Sequence, residues 1–138
     1  MFLILENCLK DLSKAIRPLE NIPYEEWLKK CQRYCREMAS ALKFSNFQPY
    51  IVHDNQIIHR DIKSENVLID EHDTIKVIDF NVSMKLPTAS PMITVSDKFV
   101  GTKAYGAPEI VIPQQKTRVI DGKKVDVWAL GITFYELV

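Results

Sequence analysis

The apolar positions along this 138-residue chain fall into patterns that predict different kinds of element. Residues 2–5 (Phe-Leu-Ile-Leu) form a short continuous apolar run and read as a buried strand, with Glu6, Asn7 and Cys8 as its exit. Residues 11–16 read as a short helical turn that Pro18 ends. From Pro23 the pattern changes. Tyr24, Trp27 and Leu28, Cys31, Tyr34 and Cys35, Met38, and Ala41 and Leu42 recur at steps of three and four, the single apolar stripe of a long amphipathic helix. Pro23, Glu25 and Glu26 stand in its first turn, where a missing N–H is harmless and negative charge is favoured.

Residues 45–50 (Ser-Asn-Phe-Gln-Pro-Tyr) interrupt that regularity and read as extra chain inserted after the helix. Next come two β-branched, apolar runs, residues 67–69 and 75–78, flanking the polar residues Asp70, Glu71, His72 and Asp73; this is a β-hairpin pattern. Residues 81–101 are rich in Ser, Thr and Pro without sustained periodicity, and read as a mobile surface loop. At the end of the chain, Trp128, Ile132, Tyr135 and Val138 fall at helical spacing in a run that is apolar nearly all round, which predicts a fully buried helix.

Composition narrows the function classes. The chain is 46% hydrophobic and 26% charged, so a packed core is expected in place of disorder. Lys+Arg and Asp+Glu both number 18, and the zero net charge argues for neither a nucleic-acid nor a membrane-surface partner. The 3 cysteines, Cys8, Cys31 and Cys35, include no C-x-x-C pair, and Cys31 and Cys35 sit one helical turn apart on the apolar stripe as buried free thiols. The apolar start stops at Glu6, too short for a signal peptide core or a membrane span, so a cytoplasmic location is expected.

The candidate chemistry gathers around the hairpin. If its strands pair antiparallel, Asn66 and Asp79 come to the same end, next to the loop that carries Asp61 and Lys63. Two carboxylates, an amide oxygen and an ammonium make a set of hard oxygen donors beside a cation, which suits Mg²⁺ together with a phosphate group.

The run H-R-D-I-K-S-E-N at residues 59–66, followed by D-F-N at 79–81, resembles the catalytic and metal-binding loops of eukaryotic protein kinases. G-T-K-A-Y-G-A-P-E at 101–109 is similar to the kinase segment that positions the peptide substrate. Lys63 after Asp61, with Gly101-Thr102 later, resembles the serine/threonine class. The stretch from 110 to 125 and the W-A-L-G-I-T-F-Y run are similar to calcium/calmodulin-dependent protein kinase kinases.

The resemblance implies an α+β, mostly α-helical fold: a protein-kinase-like C-terminal lobe fragment with a short β-hairpin. Residues 1–10 would be the last strand of the N-terminal lobe and the hinge, and 11–138 a C-terminal lobe truncated at both ends. It further implies ATP and Mg²⁺ as cofactors and a protein carrying a Ser or Thr acceptor as substrate. On this reading Asp61 accepts the hydroxyl proton, Lys63 reaches the transferring phosphate, and Asn66 and Asp79 hold metal. Leu5 is the gatekeeper, the backbones of Glu6 and Cys8 bond the purine, and Leu68 floors the adenine. His59 and Phe80 stack, Thr102 bridges Asp61 and Lys63, and Asp126 braces the catalytic loop.

The sequence departs from the family in several places. Asn81 stands where the family has glycine, and Ser64 where proline is common. No Gly-rich loop, strand lysine or helix glutamate is present, and Glu109 lacks the arginine it normally pairs with, a costly loss for a buried carboxylate. Residues 1–138 by themselves are therefore expected to be inactive. A non-catalytic, pseudokinase-like binding module is the alternative, and a small-molecule phosphotransferase a more distant one. In many kinases the arginine before the catalytic Asp, here Arg60, is held by an activation-loop phosphate. The usual acceptor position is Lys98, which cannot be phosphorylated, so the loop is expected to work without one; Thr94 and Ser96 are the other acceptors available.

Overall fold

The computed structural model describes residues 8, 10–16, 22–42, 56–87, 90–96, 98–112 and 117–138. The expected strand at 2–5 with Leu5 and Glu6, and the extra segment at 45–50, lie outside the described residues.

A short strand β1 (Lys10–Asp11) leads into helix α1 (Leu12–Ile16). Helix α2 (Tyr24–Leu42) begins at Pro23, whose carbonyl accepts the N–H groups of Glu26 and Trp27 at 3.0 Å. Its buried residues are Trp27, Cys31, Tyr34, Met38 and Leu42; of the stripe read from the sequence, Leu28, Ala41 and the thiol of Cys35, expected to be buried, are half-buried, and Tyr24 lies outside the core. Tyr24 is 68% exposed because the first helical residue projects beyond the core.

Strands β3 (Val67–Ile69) and β4 (Ile75–Val77) form the expected antiparallel hairpin, with Val67 opposite Val77 and Ile69 opposite Ile75. Strand β1 adds to its open edge, Asp11 opposite Leu68, making a three-stranded sheet. The turn is built by Asp70, whose Oδ1 accepts the N–H groups of His72 and Thr74 at 2.9 Å. Asp73 in the same turn has φ 61° and is bonded by Arg33 and Tyr34 of α2. Glu37 of α2 accepts the N–H of Ile75 at 2.9 Å, so α2 fixes the hairpin through polar contacts as well as packing.

A second pair joins β2 (Ile57–Ile58) to β5 (Met84–Lys85), and a third joins β6 (Met92–Ser96) to β7 (Thr117–Asp121). Strands β5 and β6 correct the expectation of a surface loop without periodicity at 81–101. Met92, Thr94 and Ser96 are exposed while Ile93 is buried and Val95 half-buried. That alternation is a strand pattern, hidden in the sequence by the Ser, Thr and Pro around it.

After the short helix α3 (Pro108–Val111) and β7, helix α4 (Gly122–Leu137) closes the chain. Asp121 caps it, accepting the N–H groups of Lys123 and Lys124 at 3.0 and 3.2 Å. The expectation of full burial is corrected: Val125, Asp126, Ala129, Leu130, Thr133 and Leu137 are buried, whereas Trp128 is 44% and Tyr135 84% exposed. A helix apolar in every direction carries no sequence signal for which face packs. Here the choice falls on the face that carries Asp126.

Among the described residues the apolar side chains form two cores. One gathers Leu12, Trp27, Tyr34, Met38, Ile62, Val67, Ile69 and Leu130 between α2, the hairpin and α4. The other gathers Ile58, Leu86, Ile93, Ala107, Ile120 and Val125 beneath the β6–β7 ribbon. Ile58 sits in one and Ile62 in the other, so the loop between them is pinned at both ends. At roughly 1.5–3 kcal/mol for each large apolar side chain buried, those two anchors are strong enough to fix the polar residues in between.

Candidate active site

The pinned loop starts at His59, which is fully buried. The His59 and Arg60 N–H groups donate to the two carboxylate oxygens of Asp126 at 2.7 and 2.8 Å. This contact holds Arg60 at φ 67°, a conformation an L-residue seldom adopts unaided. The His59 ring nitrogen Nε2 lies 2.9 Å from the Ile78 carbonyl, and its ring meets Phe80 edge-on at 4.7 Å between centroids. The sequence expectations for His59, Phe80 and Asp126 correspond to contacts that are present.

Asp61 follows. Its Oδ1 accepts the Thr102 hydroxyl at 2.7 Å, and Lys63 Nζ donates to Thr102 Oγ1 at 2.9 Å. Lys63 Nζ also stands 3.2 Å from Asp61 Oδ2. Asn66 Nδ2 donates to the Asp61 carbonyl at 2.9 Å and to its Oδ2 at 3.0 Å. Burial alone would push the Asp61 carboxyl up. The hydrogen bonds from Thr102, Lys63 and Asn66, with the Lys63 charge, outweigh it and hold the group below the usual carboxylate range.

A 3₁₀ turn, Ser64–Asn66, carries the chain from Lys63 into β3. The Asn66 carbonyl accepts the Ile78 N–H at 3.0 Å, so Asp79 is the next residue beyond the position opposite Asn66. The Asn66 amide nitrogen is committed to Asp61, which leaves its oxygen without a partner among the described residues. Asp79 is exposed with φ 64°. The unusual backbone angle thus falls on Asp79 and not on Asn81, where the family's glycine stands. Leu68 is half-buried in β3, and Cys8 is half-buried outside any element.

The roles of Gly101 and Tyr105 and the cavity beside them escaped sequence reading. Gly101 has φ 100°, and a Cβ there would lie 2.2 Å from the Arg60 carbonyl oxygen; only glycine lets the following Thr102 come down onto Asp61. Tyr105 is buried and donates to Glu136 of α4 at 2.6 Å, with Ser64 Oγ 3.4 Å from its hydroxyl, and burial together with Glu136 pushes it up to about 12. Glu109 is exposed, which corrects the expectation of a buried, unpaired carboxylate. A cavity of about 260 Å³ is lined by residues 93–96 and 98–100 together with Ile58, Arg60, Asp61 and Val125.

A family model for the protein kinase domain matches residues 1–138. Among curated proteins, the chain is 36% identical over 110 residues to a probable serine/threonine-protein kinase KIN1 homolog of Encephalitozoon cuniculi, covering 80% of this chain and 17% of that protein. It is 38% identical over 104 residues to serine/threonine-protein kinase PAK 1 of Mus musculus, covering 75% and 16%. It is 30% identical over 135 residues to calcium/calmodulin-dependent protein kinase kinase cmkC of Emericella nidulans, covering 97% and 24%. The chain thus spans between 16% and 24% of the length of these relatives.

Proposed function

The chain belongs to the eukaryotic protein kinase family, serine/threonine class, and from that premise we propose that the full-length protein transfers the γ-phosphoryl group of ATP to Ser or Thr hydroxyls of a protein. The observation that carries the proposal is the linked set Lys63–Thr102–Asp61–Asn66, with every contact between 2.7 and 3.2 Å. Transfer of a phosphoryl group is mainly a matter of positioning and charge neutralisation, and this set supplies both. Asp61, held ionised, accepts a hydrogen bond from the substrate hydroxyl and then its proton. Lys63 brings an ammonium to the same point, where charge on the transferring group is balanced. Thr102 keeps the carboxylate and the ammonium in one orientation while each stays available.

The amide oxygen of Asn66 and the exposed carboxylate of Asp79 are hard oxygen donors of the kind Mg²⁺ prefers, and they are the residues that would hold it. Bound there with the nucleotide, Mg²⁺ would neutralise phosphate charge. Leu68 would floor the adenine, with Leu5 as gatekeeper and the backbones of Glu6 and Cys8 facing its edge. On this reading residues 1–10 are the last N-lobe strand and hinge, and 11–138 part of the C-lobe. Residues 1–138 expressed alone are then expected to transfer no phosphate.

The test is transfer of labelled γ-phosphate from Mg·ATP to protein by the full-length protein, followed by phosphoamino acid analysis. Phosphoserine or phosphothreonine is expected, and Asp61→Asn should cut turnover by about 10²–10⁴ with ATP affinity little changed. An Asp61→Asn enzyme with wild-type turnover would sink the assignment. A protein that binds Mg·ATP and transfers nothing would instead be a non-catalytic binding module.

A further inference from the structure

We propose that Arg118 is a positioning residue that ties the β6–β7 ribbon to the α3 segment following Thr102, so that the ribbon sets where a protein substrate is held; the inference rests on the kinase reading above. Arg118 stands on β7 opposite Val95 of β6, and the neighbouring inward pair on this face is Ile93 opposite Ile120. Ile93 and Ile120 are buried in the second core with Ala107, and Val95 packs against it. One face of the ribbon is therefore aliphatic except at a single position, where it carries a guanidinium.

That guanidinium reaches α3. Nη1 donates to the Ile112 carbonyl at 3.1 Å and Nη2 to the Ile110 carbonyl at 3.4 Å. Both acceptors are at the C-terminal end of α3, where helix carbonyls have no partner within the helix. The planar fork of arginine suits two acceptors at once, which a lysine ammonium on a flexible stem does less well. At the other end of α3, Ala107 accepts the N–H groups of Ile110 and Val111 at 2.8 and 3.0 Å and is itself fully buried. Gly106, Tyr105 and Thr102 precede it through the turn bonds Gly106 N–H to Lys103 and Tyr105 N–H to Thr102, both 3.0 Å. The route from Arg118 to the Thr102–Asp61 contact is thus short and bonded at each step.

The third nitrogen argues that stability is not what this arginine serves. Nε is buried and has no hydrogen-bond partner among the described residues, a state that weakens a fold. An apolar side chain of similar length would pack on the aliphatic face without that cost. Arginine here gains only its two bonds to α3, and those bonds fix the segment next to the site.

The experiment compares Arg118→Met and Arg118→Lys in the full-length protein. Methionine keeps the stem and removes every donor. We expect its Tm to stay at or above the wild-type value, its KM for a protein substrate to rise at least tenfold, and its kcat and KM for ATP to stay within twofold. Arg118→Lys, with a single donor nitrogen in place of the fork, should fall between. Amide hydrogen exchange read at Ile110, Val111 and Ile112 should quicken at least tenfold in Arg118→Met, with α2 unchanged. An unchanged protein-substrate KM, a loss shared equally by kcat and the KM for ATP, or unchanged exchange at 110–112 would each overturn the proposal. If the wild-type protein transfers no phosphate, the kinase reading fails, and exchange at 110–112 still decides whether Arg118 holds α3.

Discussion

The Asp126 carboxylate receives the backbone N–H of Arg60 at 2.8 Å, across 66 positions of chain, and Arg60 is one of the few described residues with positive φ. Its second oxygen receives the N–H of His59, so one fully buried side chain satisfies two adjacent donors at the point where the loop turns into the site. Asp126→Ala would leave both unsatisfied in a dry environment, at about 1–3 kcal/mol each. We expect a lower Tm and a severe loss of transfer. Asp126→Asn can accept at only one of its two polar atoms, and should retain part of the stability and little of the activity. Circular dichroism melts beside kcat check both; an Asp126→Ala protein with wild-type melting and turnover would exclude the bracing role.

The Thr102 hydroxyl is a bridge between opposite charges, and removing it should move a titration. In Thr102→Val the bond to Asp61 and the acceptor for Lys63 are both lost, while the burial that pushes the carboxyl up remains. The Asp61 pKa therefore rises. In the wild-type protein the ionised base should persist below about 3.9, the ordinary aspartate value, so the acid limb of the rate profile lies below that pH; in Thr102→Val it should shift upward. The stability link has the matching sign. A folded pKa below the unfolded one adds stability above about pH 3.9, and that stability is lost as pH falls through the lower folded value. An acid limb at the same pH in both proteins would contradict the bridge.

Gly101 permits the approach that makes this bridge. A Cβ there meets the Arg60 carbonyl oxygen at 2.2 Å, and φ 100° is strained for any L side chain. Backbone cannot swing aside as a flexible side chain does, so Gly101→Ala should lift Thr102 off Asp61. Turnover is expected to fall at least tenfold, about 1.4 kcal/mol of transition-state stabilisation, with ATP affinity near wild type. Full turnover in this variant would mean the segment has room that the contact distances deny.

The sequence made the polar loop legible because its residue types carry their chemistry at fixed spacing. Asp61, Lys63 and Asn66 lie within six positions of one another, and the hairpin that brings Asp79 to Asn66 is written in β-branched runs. What stayed hidden depends on geometry between distant segments. Lys10–Asp11 shows no strand pattern in two residues, and becomes β1 only because β3 offers an open edge. Residues 92–96 alternate correctly, but the alternation spans one short strand whose partner lies more than twenty positions on. Helix α4 is apolar on every face, so no periodicity told that Trp128 and Tyr135 would face outward. Gly101 and Arg118 look ordinary until the Arg60 carbonyl and the end of α3 are seen beside them.

The segment between Asp79 and Gly101 bears on activation. Arg60, the residue that a loop phosphate holds in many kinases, is already engaged: its Nε donates to the Val82 carbonyl at 2.5 Å, and the Asp126 charge lies beside it. Lys98 cannot carry a phosphate and is exposed. Thr94 and Ser96 are exposed on β6 opposite Val119 and Thr117, on the ribbon face turned away from the buried Ile93 and Ile120. Side chains alternate along a strand, so a phosphate on Thr94 or Ser96 would project to solvent while Val95 between them faces inward. To turn from that face toward Arg60, with which Thr94 and Ser96 border one cavity, the strand would have to rotate and disturb the burial of Ile93 and Ile120. The paired ribbon already packs Ile93, Ile120 and Val95 into or against the second core without a phosphate. We therefore expect phosphatase treatment, or Thr94→Ala with Ser96→Ala, to leave activity of the full-length protein within about twofold, a difference of about 0.4 kcal/mol. A loss of tenfold or more would return the switch to the loop, and would require the ribbon to open in the active state.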